Sequence, residues 1–177
     1  MDPIFGGTLC GALALLFLVA AAHKLRDPEA FRAQLDDYRL VPGRATPAVA
    51  AAVVAGELAT GLAFLAPSLR AAADGAALAL LGVYSAAIAV NLLRGRRDID
   101  CGCSGPALRQ PLSPWLLVRN ALLAGVALAC LAPLRTRSLI WVDGVSMLGG
   151  VAVLALLYAA SNRLLASAPA FARLQDS

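Results

Sequence analysis

Charge is what this sequence lacks most. Asp, Glu, Lys and Arg supply 15% of the 177 residues, against about 25% in a soluble domain. With 60% hydrophobic residues and a mean hydropathy of +0.75, that scarcity excludes an ordinary aqueous globule. It also excludes disorder, which requires low hydrophobicity. The cationic excess is small, 15 Lys and Arg over 11 Asp and Glu, a net +4. It does not form the basic face of a nucleic-acid binder, because the charges sit in gaps between apolar runs. Four cysteines are too sparse for a disulfide scaffold. A zinc site needs about four ligands, and the single histidine, His23, makes metal the weaker reading of those cysteines. A basic segment ahead of the first apolar run is missing too. Asp2 stands there, and His23, Lys24 and Arg26 come after the run. That is the reverse of a signal peptide and fits a retained first helix.

What is present is a set of long apolar runs. Residues 4–22, 75–93 and 144–162 are each 19 residues without a charge. Arg44 and Arg70 bracket 25 residues with one charge, Glu57, and Arg109 and Arg135 bracket 25 with one, Arg119. A spanning helix needs about 20 mainly apolar residues, at about 1.5 Å each across about 30 Å of hydrocarbon. Buried strands run only about 4–8 residues, and lipid tolerates no open sheet edge. The pattern predicts an all-α polytopic membrane bundle, one integral membrane domain over 1–177. Its expected transmembrane helices are about 4–22, 47–67, 75–93, 115–134 and 144–162. The cations fall 12 on one side and three on the other. The positive-inside rule then puts the N-terminus outside and the first and third loops in the cytoplasm.

The first loop opens with Asp27-Pro28-Glu29, an N-cap, an N1 proline and an acidic first turn. Phe31, Leu35 and Tyr38 follow at i, i+4 and i+7. This predicts a short helix over about 28–40, lying at the interface or closing one mouth of the bundle. The short second loop predicts that the second and third spanning helices are antiparallel neighbours.

The third loop carries the chemistry: Asp98-Ile99-Asp100-Cys101-Gly102-Cys103-Ser104-Gly105-Pro106. Two thiols one residue apart close a disulfide only with distorted geometry, and strained disulfides are oxidising. The loop suits thiol–disulfide exchange better than stapling; inert loop cysteines are the bland alternative. Arg96 and Arg97 would favour a thiolate, while Asp98 and Asp100 oppose it. Other polar residues point to the same end of the bundle: His23, Lys24, Tyr84, Asn91, Arg94, Trp115, Arg119 and Asn120. Each has an ordinary account, as interface belt, snorkelling cation or interhelical hydrogen bond. Glu57 lies about 15 Å into its helix. A carboxyl there is a functional candidate by default, or else a structural residue paired with Arg119. Cys10 and Cys130 read as small apolar residues, and Gly7 and Gly11 as a close-packing pair around Cys10.

Asn91-Leu92-Leu93-Arg94-Gly95, Asp100-Cys101-Gly102-Cys103-Ser104-Gly105 and Ser113 through Arg119-Asn120 resemble the MauE family of bacterial membrane proteins. His23-Lys24-Leu25, Phe31, Tyr38, Pro42 and Glu57 also fit its N-terminal half. The likeness covers most of residues 15–125, and Asp-Cys-Gly-Cys-x-Gly is its most specific piece. The family usually has Phe where this chain has Ser104. The resemblance implies a DoxX-like four-helix core plus a fifth transmembrane helix, multi-pass in the bacterial plasma (inner) membrane. It implies a role in methylamine utilisation, in disulfide maturation of methylamine dehydrogenase or another disulfide-containing client. Cys101 and Cys103 would be the redox pair, with a thioredoxin-like MauD-type protein as partner. Glu57, Asn91, Arg94, Asp100, Arg119, Asn120, His23 and Lys24 would support them. A quinone at the Trp115 and Tyr84 mouth would reset the pair, with no motif behind it. The implied maturation is periplasmic, whereas the charge count puts the thiols in the cytoplasm. Either the loop dips into the bundle, the topology is reversed, or electrons cross the membrane. The alternative function is a non-catalytic scaffold or transporter-like bundle with Glu57 in a translocation path.

Overall fold

The computed structural model describes residues 1–101, 110–133 and 140–175, and the side chains of its last helix through 164. Cys103, Ser104, Gly105 and Arg109 lie outside the described residues. Among the described residues six helices follow in chain order: α1 (Pro3–Arg26), α2 (Pro28–Tyr38), α3 (Thr46–Leu65), α4 (Arg70–Leu93), α5 (Pro114–Cys130) and α6 (Trp141–Gln175). A short 3-10 turn over Pro67–Leu69 joins α3 to α4. Among the described residues there is no strand, only one isolated bridge between Asp100 and Pro111. The fold is all-α.

Local chemistry sets the helix ends. Asp2 caps α1 through the Ile4 amide at 2.9 Å, and Asp27 caps α2 through the Ala30 amide at 3.0 Å. Proline stands in the first turn of α1, α2, α3 and α5, where its missing N–H leaves no intrahelical bond unmade. Arg39 ends α2 in a left-handed conformation, with φ +49°.

Among the described residues four helices are long and apolar enough to cross a membrane: α1, α3, the segment Pro67–Leu93, and α6 over Trp141–Leu164. The fifth, α5, has 17 residues, about 25 Å at 1.5 Å each. The α1 helix is central, packing on α3, α5 and α6, while α4 packs on α3 and α5. Small residues permit the close approaches. A β-carbon on Gly61 would lie 2.7 Å from Leu18 and 3.2 Å from the Ala14 carbonyl, so α1 and α3 meet nearly backbone to backbone. Gly7 and Gly11 face Met147 and Val151 of α6 in the same manner.

Two apolar clusters stack along the bundle. One holds Cys10, Leu13, Ala14 and Phe17 with Phe64, Ala73, Ala77, Leu81, Ala127 and Cys130. The other holds Ile88, Ile99, Cys101, Leu112 and Leu116 at the opposite end. Much apolar surface faces outward: Phe5, Leu62, Val83, Leu122, Leu148, Leu156 and Leu164 are all more than half exposed. Soluble monomers rarely expose contiguous apolar patches beyond a few hundred Å². The protein should therefore sediment with membranes after carbonate washing and aggregate when detergent is diluted below its micellar concentration. Recovery as a soluble monomer without detergent would contradict this.

Candidate functional site

The polar residues gather at the end of the bundle where α1 stops, α4 stops and α5 begins. Lys24, in the last turn of α1, is 8% exposed and reaches α3, where Glu57 is 1% exposed. Lys24 Nζ donates to Glu57 Oε1 at 2.6 Å, and the Tyr84 hydroxyl of α4 donates to the same oxygen at 2.6 Å. Lys24 also lies 5.3 Å from the Phe31 ring centroid and 5.7 Å from that of Tyr84, within cation–π range. Thus α2, through Phe31, roofs an ion pair that fastens α1, α3 and α4 together. The carboxylate partner is Lys24, not the Arg119 expected from the sequence. The reason is helix order: α3 packs on α1 and α4, whereas Arg119 starts from α5.

Arg119 forms a second node. It donates to Asn162 Oδ1 of α6 at 3.2 Å and to Asn120 Oδ1 at 3.5 Å, and it lies 5.8 Å from the Tyr158 ring centroid. It also donates to Cys101 Sγ at 3.9 Å. Cys101 is 8% exposed. Its amide donates to the Gln110 carbonyl at 2.9 Å, and its carbonyl accepts from the Tyr38 hydroxyl at 3.4 Å. Ile99 and Leu112 are buried on either side, and Asp100 Oδ1 accepts from the Gln110 amide at 3.1 Å. The base of the Cys-Gly-Cys loop is therefore closed, and it fixes one thiol against a guanidinium.

Several expected supporting residues do other work. Asn120 bridges helices, donating to Ser85 Oγ of α4 at 3.2 Å. Asn91 does not. Its amide donates back to the Ala87 carbonyl at 3.1 Å, and its oxygen accepts from Arg96 at 3.3 Å. Arg96 is thereby held at the α4 terminus, so the cation at the thiol is Arg119. Arg94 is exposed and tethers the end of α2 through the Arg39 carbonyl at 3.5 Å. Trp115 is 54% exposed and turned away from the interior; the mouth read from Trp115 and Tyr84 does not form. Asn162 and Tyr158 were missed because α6 reads as a generic apolar helix. The only sequence signal was Asn162 at the edge of an uncharged run.

A cavity of about 610 Å³ connects the two nodes. Apolar side chains of α1, α5 and α6 form most of its wall, and His23, Lys24, Glu57, Tyr84, Arg119 and Asn162 supply its polar lining. The volume is in the range of about 300–1,000 Å³ usual for small organic ligands. Glu57 Oε2, buried beside the cavity, has no hydrogen-bond partner. Among the described residues no group of His, Cys, Asp and Glu is arranged to hold a metal ion.

The family model described as methylamine utilisation protein MauE matches residues 2–133. The chain belongs to the MauE family. It is 44% identical to the methylamine utilization protein MauE of Paracoccus denitrificans over 117 residues, 66% of this chain and 63% of that protein. It is 39% identical to the MauE of Paracoccus versutus over 131 residues, 74% of this chain and 70% of the relative. Against the MauE of Methylophilus methylotrophus, identity is 35% over 152 residues, 85% and 80% of the two chains. The first of these alignments spans less than two thirds of the relative's length. No solved structure matches. The MauE match covers α1 to α5 and both thiol positions of the third loop, whereas α6, which supplies Asn162 to Arg119, lies beyond it.

Proposed function

We propose that this MauE-family protein is a multi-pass plasma-membrane redox factor of methylamine utilisation. In this reading Cys101 and Cys103 exchange thiol for disulfide with a thioredoxin-like partner of the MauD type. The pair thereby supports disulfide maturation of methylamine dehydrogenase or a similar client. The observation that carries the reading is the Cys101 sulfur held 3.9 Å from the Arg119 guanidinium. A charged donor stabilises sulfur as it takes on negative charge. In the exchange, the Cys101–Cys103 disulfide becomes two thiols while two thiols of the partner become a disulfide, through a mixed disulfide. The neighbouring cavity supports a quinone as the carrier that resets the pair, taking two electrons and two protons from the dithiol to become a quinol. The apolar wall suits its tail, and Glu57 Oε2 is placed to accept from a hydroxyl.

The test is a gel-shift alkylation assay on native membranes. The pair should be alkylated fully after dithiothreitol and not after mild oxidation. In Cys101→Ser or in Cys103→Ser, whichever removes the resolving thiol, a covalent adduct to the partner should accumulate and disappear on reduction. Thiols that never change state would remove the redox reading and leave the scaffold. Applying a membrane-impermeant maleimide from each side identifies the compartment that sees the pair; the charge distribution predicts the cytoplasm.

A further inference from the structure

A second pair of cysteines lies at the other end of the molecule. Cys10 of α1 and Cys130, the last residue of α5, are 2% and 7% exposed and both free. Both belong to one buried cluster, where α1 packs on α5. Read along the sequence they are 120 residues apart and look like separate apolar fillers; the fold makes them a dithiol. They are not simply embedded in hydrocarbon. Asp74 of α4 is completely buried, and among the described residues neither of its carboxylate oxygens has a hydrogen-bond partner, nor has the buried Nε of Arg70, one turn earlier on the same helix. Ala73 and Ala77, next to Asp74 along α4, belong to the same buried cluster as the two thiols. A buried carboxyl without hydrogen bonds is destabilising, and packing alone would favour leucine at 74. An ionisable group inside a membrane bundle marks a functional site by default.

We propose that Cys10 and Cys130 form a second redox-active dithiol, at the N-terminal end of the bundle, which is oxidised by exchange with a disulfide on that side of the membrane, Asp74 serving as proton acceptor. Cys130 is the attacking residue because it ends its helix and is the more exposed of the two. Its sulfur attacks one sulfur of the incoming disulfide. That S–S bond breaks, and the leaving thiolate carries away the Cys130 proton. Cys10 then passes its proton to the Asp74 carboxylate and attacks the Cys130 sulfur, releasing the second thiol, which recovers the proton from Asp74. Two protein thiols are oxidised to one disulfide, and one external disulfide is reduced to two thiols. Ring closure brings the two sulfurs of this cluster to the roughly 2.05 Å of a disulfide. This end is closed by the chain terminus, the Met1 ammonium donating to the Pro133 carbonyl at 2.6 Å. Along α5, Cys130 lies 11 residues beyond Arg119, about 16 Å. The two thiol centres therefore do not exchange directly; each meets its own partner at its own end.

The experiment uses the full chain carrying Cys101→Ser and Cys103→Ser, in detergent, so its outcome is independent of the first pair. The protein is equilibrated folded in buffers of reduced and oxidised glutathione, quenched with acid, unfolded, alkylated and weighed intact. Two alkylated thiols should be found under reducing buffer. Under oxidising buffer there should be none, with the mass of an intramolecular disulfide. Adding Cys10→Ser should accumulate glutathione on Cys130, and adding Cys130→Ser should label Cys10 at least tenfold more slowly. Asp74→Asn should slow ring closure at least tenfold, in the range of general-base effects, and flatten its pH dependence, with recovery in Asp74→Glu. Two thiols that stay alkylatable at every glutathione ratio, or equal uptake by the Cys10→Ser and Cys130→Ser proteins, would overturn the proposal.

Discussion

Replacing Cys101 and Cys103 together with serine should reduce client disulfide formation to background while leaving the bundle folded. The chemistry requires sulfur, because a hydroxyl forms no mixed disulfide, so the loss should be complete rather than graded. The structural effect should be small. Cys101 is tied by its backbone, through the Gln110 carbonyl and the Tyr38 hydroxyl. A serine hydroxyl there keeps Arg119 as a hydrogen-bond donor, so the change in stability should stay near about 1 kcal/mol. The measurement is client disulfide content in cells complemented with the double variant, alongside circular dichroism and size-exclusion profiles of that protein. Arg119→Lys is an informative companion: it keeps the charge but loses the fork that reaches Cys101, Asn120 and Asn162 at once. A client that matures fully in the double variant would leave a scaffold role.

Lys24→Met alone should destabilise the bundle by about 3–5 kcal/mol, the usual consequence of removing one partner from a buried ion pair. It leaves Glu57 at 1% exposure with only Tyr84 donating to Oε1. Glu57→Leu should be comparably damaging, since Lys24 then has only the Phe31 and Tyr84 rings for company. The double variant Lys24→Met, Glu57→Leu should be more stable than either single one, because replacing both charges with apolar groups of similar size is often neutral or better. Thermal unfolding of the four proteins in one detergent measures this; simple additivity would show that the 2.6 Å contact carries no coupling. The same set separates functions. A transporter depends on Glu57 and survives loss of the thiols. A thiol exchanger tolerates the double apolar variant so long as the bundle holds, except at the step where Glu57 faces a quinone.

Sequence alone determined the class of this molecule. Runs of 19 uncharged residues leave few ways to satisfy a backbone except as helices, and Asp27-Pro28 sets the start of α2 as capping chemistry requires. The Cys-Gly-Cys loop was visible because both thiols are local, one residue apart. The family followed from the same stretch of chain. Only the tertiary structure could say which distant residues meet. That α1 packs between α3, α5 and α6 gives Glu57 to Lys24 instead of Arg119, gives Arg119 an asparagine from α6, and brings Cys10 and Cys130 into one buried cluster. The physical reason is that apolar periodicity reports burial without reporting the neighbour. In a bundle where nearly every face is apolar, partner choice is set by close approach at small residues such as Gly61, Gly7 and Gly11, and by the few polar groups that must find one another.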